Sequence, residues 1–311
     1  MNDTPTSASF AARLADPRPL LAVELRPPRR DLEGARAMDA WMDVHRAVAR
    51  LSNADTAIFL TDSAVGAGEE EGMAHLAANL GPRAVRERIV PFLTLKHPLD
   101  YCLRCAARAR RERFPALVVL GGDKRGGPPR CLPHAFELRE RLRREQPALL
   151  LGGWANPNRD PRGQARLLAE HRAGADFALS QVLSHHQIEP VAEFMDEAAR
   201  LGVDLPLFAG VFFYRSGRPS TLAKLADFIP VPAEELKRDF GERRLDAEEV
   251  AVQTLLALAK LGFKRYYISN VPTGDAPRIL ARLAAAAGLP DPFTAPPFPR
   301  GGGGLDSNPW P

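Results

Sequence analysis

A closed barrel of eight parallel strands, each followed by a helix, is the fold class that this 311-residue chain predicts. Two observations predict it. Short apolar or β-rich runs alternate with longer amphipathic stretches, which is the rhythm of strands joined by crossover helices in a parallel sheet. Eight such runs fit within roughly 290 residues, which suits a (β/α)8, or TIM, barrel better than an open doubly wound sheet. The composition agrees, with 45% apolar and 26% charged side chains, enough to bury a core without staples. The 42 basic residues exceed the 38 acidic ones by only four and form no basic arm, which argues against a nucleic-acid partner. No stretch approaches the roughly 20 apolar residues of a membrane span, and the first 15 residues lack the order of a signal peptide. A cytoplasmic location without membrane attachment is therefore expected. Monomer and homo-oligomer both remain open.

The elements follow in order. Residues 1–15 are expected to be a loose lead-in with a short helical turn, residues 16–290 a single barrel domain, and residues 291–311 a Pro/Gly-rich disordered tail. The eight strand candidates are Leu20–Leu25, Thr56–Thr61, Ile89–Leu95, Ala116–Gly121, Leu149–Trp154, Asp176–Gln181, Leu205–Phe213 and Tyr266–Asn270. Several are nearly continuous apolar runs, as strands covered on both faces require. Helical patterns run over Leu99–Arg113, Glu137–Glu145, Gly163–Ala173, His186–Leu201 and Ala247–Leu261. Gly202 and Gly262 stand where two of these should stop. About 50 residues separate the last two strand candidates, and extra helices are expected there around the Pro-broken segment Phe228–Pro232.

In such a barrel, chemistry belongs at or just beyond the C-terminal strand ends. The polar residues there are Glu24, Thr61 with Asp62, Thr94 with Lys96, Asp123, Asn156 with Asp160, Gln181, Tyr214 with Arg215, and Asn270. Glu24 lies inside the apolar run LLAVEL. A carboxyl held among apolar neighbours has a raised pKa, which suits a general acid near neutral pH. The same residue could instead serve as a structural bridge to an arginine. Asp123 follows Gly121 and Gly122, which let a ligand approach the backbone; it could equally be a turn or cap residue. The Gln181 amide can donate and accept at once, as the edge of a heterocycle needs. Phe213 and Tyr214 close the seventh run as candidate substrate contacts.

Other motifs carry less. Glu69, Glu70 and Glu71 in GAGEEEG read as a helix start or as a source of one further carboxylate. Cys102 and Cys105 form a CxxC inside a helical pattern, where Cys131 and His134 make only a loose second pair, so the three cysteines read as reduced thiols. His185 and His186 have no HExxH context and no carboxylate partner is expected to accompany them, so no metal is assigned. GGDKRGGPP lacks P-loop spacing, and no GxGxxG opens a helix, so a Rossmann domain is unsupported.

Taken together, these residues resemble the catalytic barrel of the methylenetetrahydrofolate reductase family over roughly Leu20–Leu283. The carriers are VELRPPR (residues 23–29) for the family's E-x-x-P-P, LGGD (120–123) for its L-R-G-D, and the N-P and D-P pairs of WANPNRDP (154–161). AGADFALSQ (173–181), LPLFAGV (205–211) and GFKRYYISN (262–270) follow in the family's order. The resemblance implies reduction of 5,10-methylenetetrahydrofolate to 5-methyltetrahydrofolate with NAD(P)H, a step of one-carbon and methionine metabolism. It implies that Glu24 protonates folate N10, that Asp123 binds the pterin and sets the charge around the reacting centre, and that Gln181 hydrogen-bonds the folate.

The resemblance also implies FAD, with Thr61, Gly122, Asn156 and Asp160 at cofactor-binding positions. There the sequence departs. The positions with which the family grips FAD hold Phe92, Gly121, Asn156, Asp160, Ala169 and Glu170. Exchanging cations beside a pyrophosphate for such residues loses charge-assisted hydrogen bonds, each worth on the order of 1–3 kcal/mol. Arg159, Arg162 or Arg166 could replace them. The superfamily also contains flavin-free reductases that pass hydride directly from the nicotinamide, in which case Glu69, Glu70 or Glu71 could supply a second carboxylate. A folate-binding homologue without redox activity, serving as carrier or methyltransferase partner, is the alternative.

Overall fold

The structure, a computed structural model, describes residues 9–28, 32–61, 80, 84–122, 127–170 and 174–294. Eight parallel strands close into a barrel in sequence order. They are β1 (Leu20–Leu25), β2 (Ile58–Leu60), β3 (Ile89–Thr94), β4 (Ala116–Leu120), β5 (Leu150–Ala155), β6 (Phe177–Leu183), β7 (Leu207–Phe212) and β8 (Arg265–Ser269). β8 closes the ring on β1, with Leu20 opposite Arg265 and Val23 opposite Ile268. The chain is a (β/α)8 barrel, and each strand lies within a residue or two of its expected position. The exception in kind is β6, which runs on to Leu183 through a bulge between Leu179 and Val182.

The helices among the described residues are α1 (Phe10–Ala15), α2 (Gly34–Ser52), α3 (Leu99–Arg111), α4 (Ala135–Glu145), α5 (Pro161–Glu170) and α6 (Ile188–Arg200). The long connection after β7 holds the two extra helices expected there, α7 (Pro219–Ala226) and α8 (Ala233–Gly241), before α9 (Ala247–Lys260). α10 (Ala276–Ala286) follows β8. Gly202 and Gly262 stop α6 and α9 with φ of 65° and 87°, a region that costs a residue with a Cβ.

Alternation along the strands divides the apolar side chains into two layers. Leu21, Val23, Ile58, Val119 and Ile268 face the helices. Leu20, Ala22, Phe59, Val90, Phe92, Val118, Phe177, Leu179, Phe208 and Tyr267 fill the lumen. The lead-in is packed from residue 10 onward, not loose. Phe10 is fully buried in the lumen cluster, edge-on to Phe177 at 5.2 Å and stacked on Phe208 at 6.1 Å. Arg13 is buried below it, with Nε 3.0 Å from Asp55 Oδ1 and guanidinium bonds to the carbonyls of Arg18 and Pro19. Arg88 approaches the same Asp55 oxygen at 3.5 Å. The N-terminal face is thus sealed by an aromatic plug and an ion-pair network, leaving the opposite face for function.

The start of the expected tail is also packed. The Asp55 N–H donates to the Pro292 carbonyl at 2.7 Å, and Arg50 lies over the Phe293 ring. Residues 295–311 lie outside the described residues.

Candidate functional site

The run LLAVEL puts Leu20, Ala22 and Glu24 on one face of β1, and the first two are lumen residues. Glu24 therefore extends the lumen row to the C-terminal mouth, 9% exposed. Burial raises its pKa above the ordinary value of 4.5. Two contacts oppose that rise without cancelling it: the Arg26 guanidinium, with Nε 3.6 Å from Glu24 Oε1, and a hydrogen bond with the Ser269 side chain. Arg26 is 66% exposed, so solvent weakens the pair. Below the carboxyl lies Tyr267, whose phenol is pushed well above its usual range, first by burial and then by the Glu24 charge.

Tyr267 also anchors the opposite wall. Its hydroxyl donates to the Ser180 carbonyl at 2.7 Å, while Ser180 Oγ accepts from the Gly210 N–H at 2.9 Å and donates to the Gln181 carbonyl at 2.7 Å. A Cβ on Gly210 would stand 2.5 Å from the Tyr267 oxygen, so only glycine admits this phenol. The bulge, Ser180 and Tyr267 thus form one polar joint across β6, β7 and β8. Sequence reasoning missed Ser180 and Ser269; period-2 alternation from Arg265 through Tyr267 to Ser269 was the signal for the second.

The other expected site residues divide. Gln181 is partly buried inside β6 at the bulge, not beyond the strand end, and its Oε1 accepts from the Val182 N–H at 2.9 Å. Its amide folds back on its own backbone instead of reaching freely into the mouth. Phe213 is a correction: it is buried with Ala209, Val211 and Ile268 in the outer layer, because alternation turns it away from the lumen. Tyr214 is buried with Phe212, Leu222 and Leu236, beneath α7 and α8, and burial raises its phenol pKa.

Thr61 Oγ1 donates to the Leu25 carbonyl at 3.3 Å and ties the ends of β1 and β2. Gly122 has φ 72°, and its carbonyl accepts from Arg130 at 2.7 Å; the guanidinium also covers Gly121. Arg130 escaped sequence reasoning because it lies ten residues past the end of β4. Lys96 is buried after β3, with Nζ donating to the Pro128 carbonyl at 2.9 Å. Asp123, Asp62 and Glu69–Glu71 lie outside the described residues.

The residues at the expected flavin positions do not fit that cofactor. Phe92 belongs to the lumen plug, 6.1 Å from Phe59. Asp160 is exposed and caps α5, accepting from the Gly163 N–H at 2.9 Å. Asn156 Oδ1 accepts from the Asn158 N–H at 3.2 Å in a local turn. None offers a cation to a pyrophosphate.

His185 and His186 contradict the sequence expectation that no carboxylate accompanies them. Asp239, fully buried on α8, has Oδ2 2.6 Å from His186 Nε2 and 3.6 Å from His185 Nε2. Cys102 and Cys105 are buried on α3 and Cys131 is half-buried; none of the three is in a disulfide. Cys102 Sγ points to the Thr94 and His97 carbonyls at 3.8 and 3.9 Å, a packing role at the end of β3.

No protein-family model and no curated protein sequence matches the chain. Solved structures do. An uncharacterized protein from Clostridium thermocellum that binds two copies of 5-methyl-5,6,7,8-tetrahydrofolic acid superposes with a TM-score of 0.58 at 14% identity, over 87% of this chain and 95% of that one. The carboxyl transferase domain of Rhizobium etli pyruvate carboxylase superposes with a TM-score of 0.53 at 13% identity, over 89% of this chain and 46% of that one. At these identities the likeness shows the fold, the (β/α)8 barrel, which hosts many chemistries.

Proposed function

We propose that this barrel binds a reduced folate at its C-terminal mouth and reduces the methylene carbon of 5,10-methylenetetrahydrofolate to a methyl group, with NAD(P)H as hydride source. The observation that carries the reading is Glu24: a buried carboxyl at the C-terminal end of β1 with its pKa raised by burial. The structural neighbour that binds 5-methyl-5,6,7,8-tetrahydrofolic acid, superposed over 95% of its own length, supports the substrate class.

The chemistry asks for one proton and one hydride. Protonated Glu24 delivers its proton to folate N10, the N10–methylene bond breaks, and the methylene carbon becomes an iminium carbon on N5. Hydride from the nicotinamide adds to that carbon, giving the 5-methyl product and the oxidised nicotinamide. Arg26 and Ser269 stabilise the Glu24 carboxylate that remains until solvent returns a proton. The expected flavin positions supply no cation, so no step runs through a flavin. In this reading Asp123 binds the pterin, and Gln181 hydrogen-bonds the folate once its amide turns away from the Val182 N–H; both roles rest on the family resemblance.

The test is an anaerobic assay of NAD(P)H oxidation with methylenetetrahydrofolate, with and without added FAD. Wild type should turn over without FAD, and Glu24→Gln should bind 5-methyltetrahydrofolate with near wild-type affinity while losing turnover. Full activity in Glu24→Gln would remove the assigned role. A second reading, a folate binder without redox activity, is favoured by the Arg26 counter-ion beside Glu24, which stabilises the proton-free form. It predicts folate binding with no nicotinamide oxidation under any condition.

A further inference from the structure

A second cluster of functional groups lies away from Glu24, where the β6–α6 connection meets the helices inserted after β7. One 3-10 turn, His185–Gln187, holds both histidines, with Ser184 capping it through a bond from the His186 N–H. α8 brings Asp239 against them, and α9 brings Thr254. The register of α9 is fixed by a reciprocal cap, in which Asp246 accepts from the Glu248 and Glu249 N–H groups and Glu249 accepts from the Asp246 N–H.

Thr254 decides what His185 offers. Its Oγ1 lies 3.3 Å from the Val250 carbonyl one helical turn back, and we assign its single hydroxyl hydrogen to that acceptor. The same oxygen lies 2.9 Å from His185 Nδ1 and, with its hydrogen on Val250, accepts from Nδ1–H. That tautomer leaves a lone pair on Nε2. This nitrogen is buried and has no hydrogen-bond partner among the described residues. It faces Asp239 Oδ2 at 3.6 Å, a second lone-pair group on a fully buried side chain. Two acceptors facing each other out of water repel, and a cation between them turns the repulsion into attraction.

We propose that His185 Nε2, His186 Nε2 and Asp239 Oδ2 form a binding site for a divalent transition metal of the zinc class. The three donor atoms lie within 4.8 Å of one another. Tetrahedral zinc, with bonds of about 2.0–2.2 Å, sets its donors roughly 3.3 Å apart. The observed separations of 2.6 and 3.6 Å bracket that value; the proton that His186 Nε2 shares with Asp239 Oδ2 is released to solvent as the metal enters, and small side-chain rotations complete the site. Two imidazoles with one carboxylate suit zinc, cobalt or nickel over magnesium or calcium. Thr254 orients His185, and Arg243, 3.1 Å from Asp239 Oδ1, holds the carboxylate so that Oδ2 turns to the metal. Three protein donors leave a fourth position for water or another ligand. The metal would also clamp the inserted helix α8 to the turn after β6. The proposal is independent of the folate reading, since neither Glu24 nor any folate contact enters it.

The experiment is titration of the full chain, stripped with chelator, with Zn2+ by calorimetry and with Co2+ by visible absorption, using Mg2+ as control. The expected result is one equivalent of Zn2+ or Co2+, a tetrahedral cobalt band, and a melting temperature raised by Zn2+ and not by Mg2+. Thr254→Val, nearly isosteric, should fold and weaken metal affinity about 10–100-fold. His185→Gln and Asp239→Asn should abolish the cobalt band while keeping the far-UV circular dichroism. A folded wild type that takes up neither metal at one equivalent would overturn the proposal. So would wild-type affinity in folded His185→Gln or Asp239→Asn.

Discussion

Glu24 and Arg26 lie two residues apart on the chain and 3.6 Å apart in space, yet the carboxylate is 9% exposed and the guanidinium 66% exposed. The pair sits across the boundary between lumen and solvent. Burial acts on the acid at full strength, while the counter-charge is screened, and the acid's pKa stays above its ordinary value.

Removing Arg26 should therefore raise the Glu24 pKa further. A general acid works while protonated, so the falling alkaline limb of the kcat/KM profile should move to higher pH in Arg26→Ala. A limb that stays put would detach the ionisation from Glu24.

The same shift has a consequence for stability. Because the folded pKa is raised, the folded protein keeps a proton that the unfolded chain releases near pH 4.5, so this group erodes stability as pH rises through the window above 4.5. Glu24→Gln removes the ionisation. It should melt at a higher temperature than wild type at neutral pH, with the difference vanishing below pH 4; calorimetric melts across that range decide it.

Phe10 should matter although it stands far from the mouth. Phe10→Ala empties the centre of the lumen plug, and a buried Phe→Ala change costs about 3–5 kcal/mol. Urea unfolding should show the midpoint lowered with an unchanged slope.

The Tyr267 phenol should be worth more than its packing. Tyr267→Phe leaves the Ser180 carbonyl without that donor and should cost about 1–3 kcal/mol. Gly210→Ala should cost a similar amount through the clash with the same phenol. The two losses should not add, since both act on one contact; a double-mutant cycle with additive losses would refute the joint.

The sequence alone determined the architecture, because strand alternation and helix periodicity are local rules that a few consecutive residues satisfy. It also put Leu20, Ala22 and Glu24 on one face, since LLAVEL commits every second side chain to one side; that this side is the lumen came from the closed barrel. The tertiary structure alone decided what lies opposite what. The bulge at Ser180 shifts register and withdraws Gln181 into β6, and alternation past β7 turns Phe213 outward. Phe10 becomes a plug only because the closed barrel offers it a floor. Asp239 stands 53 residues from His186 in the chain and 2.6 Å from it in space, brought there by two helices inserted between β7 and β8. No periodic pattern encodes such a meeting, because it depends on how a long connection crosses a closed surface.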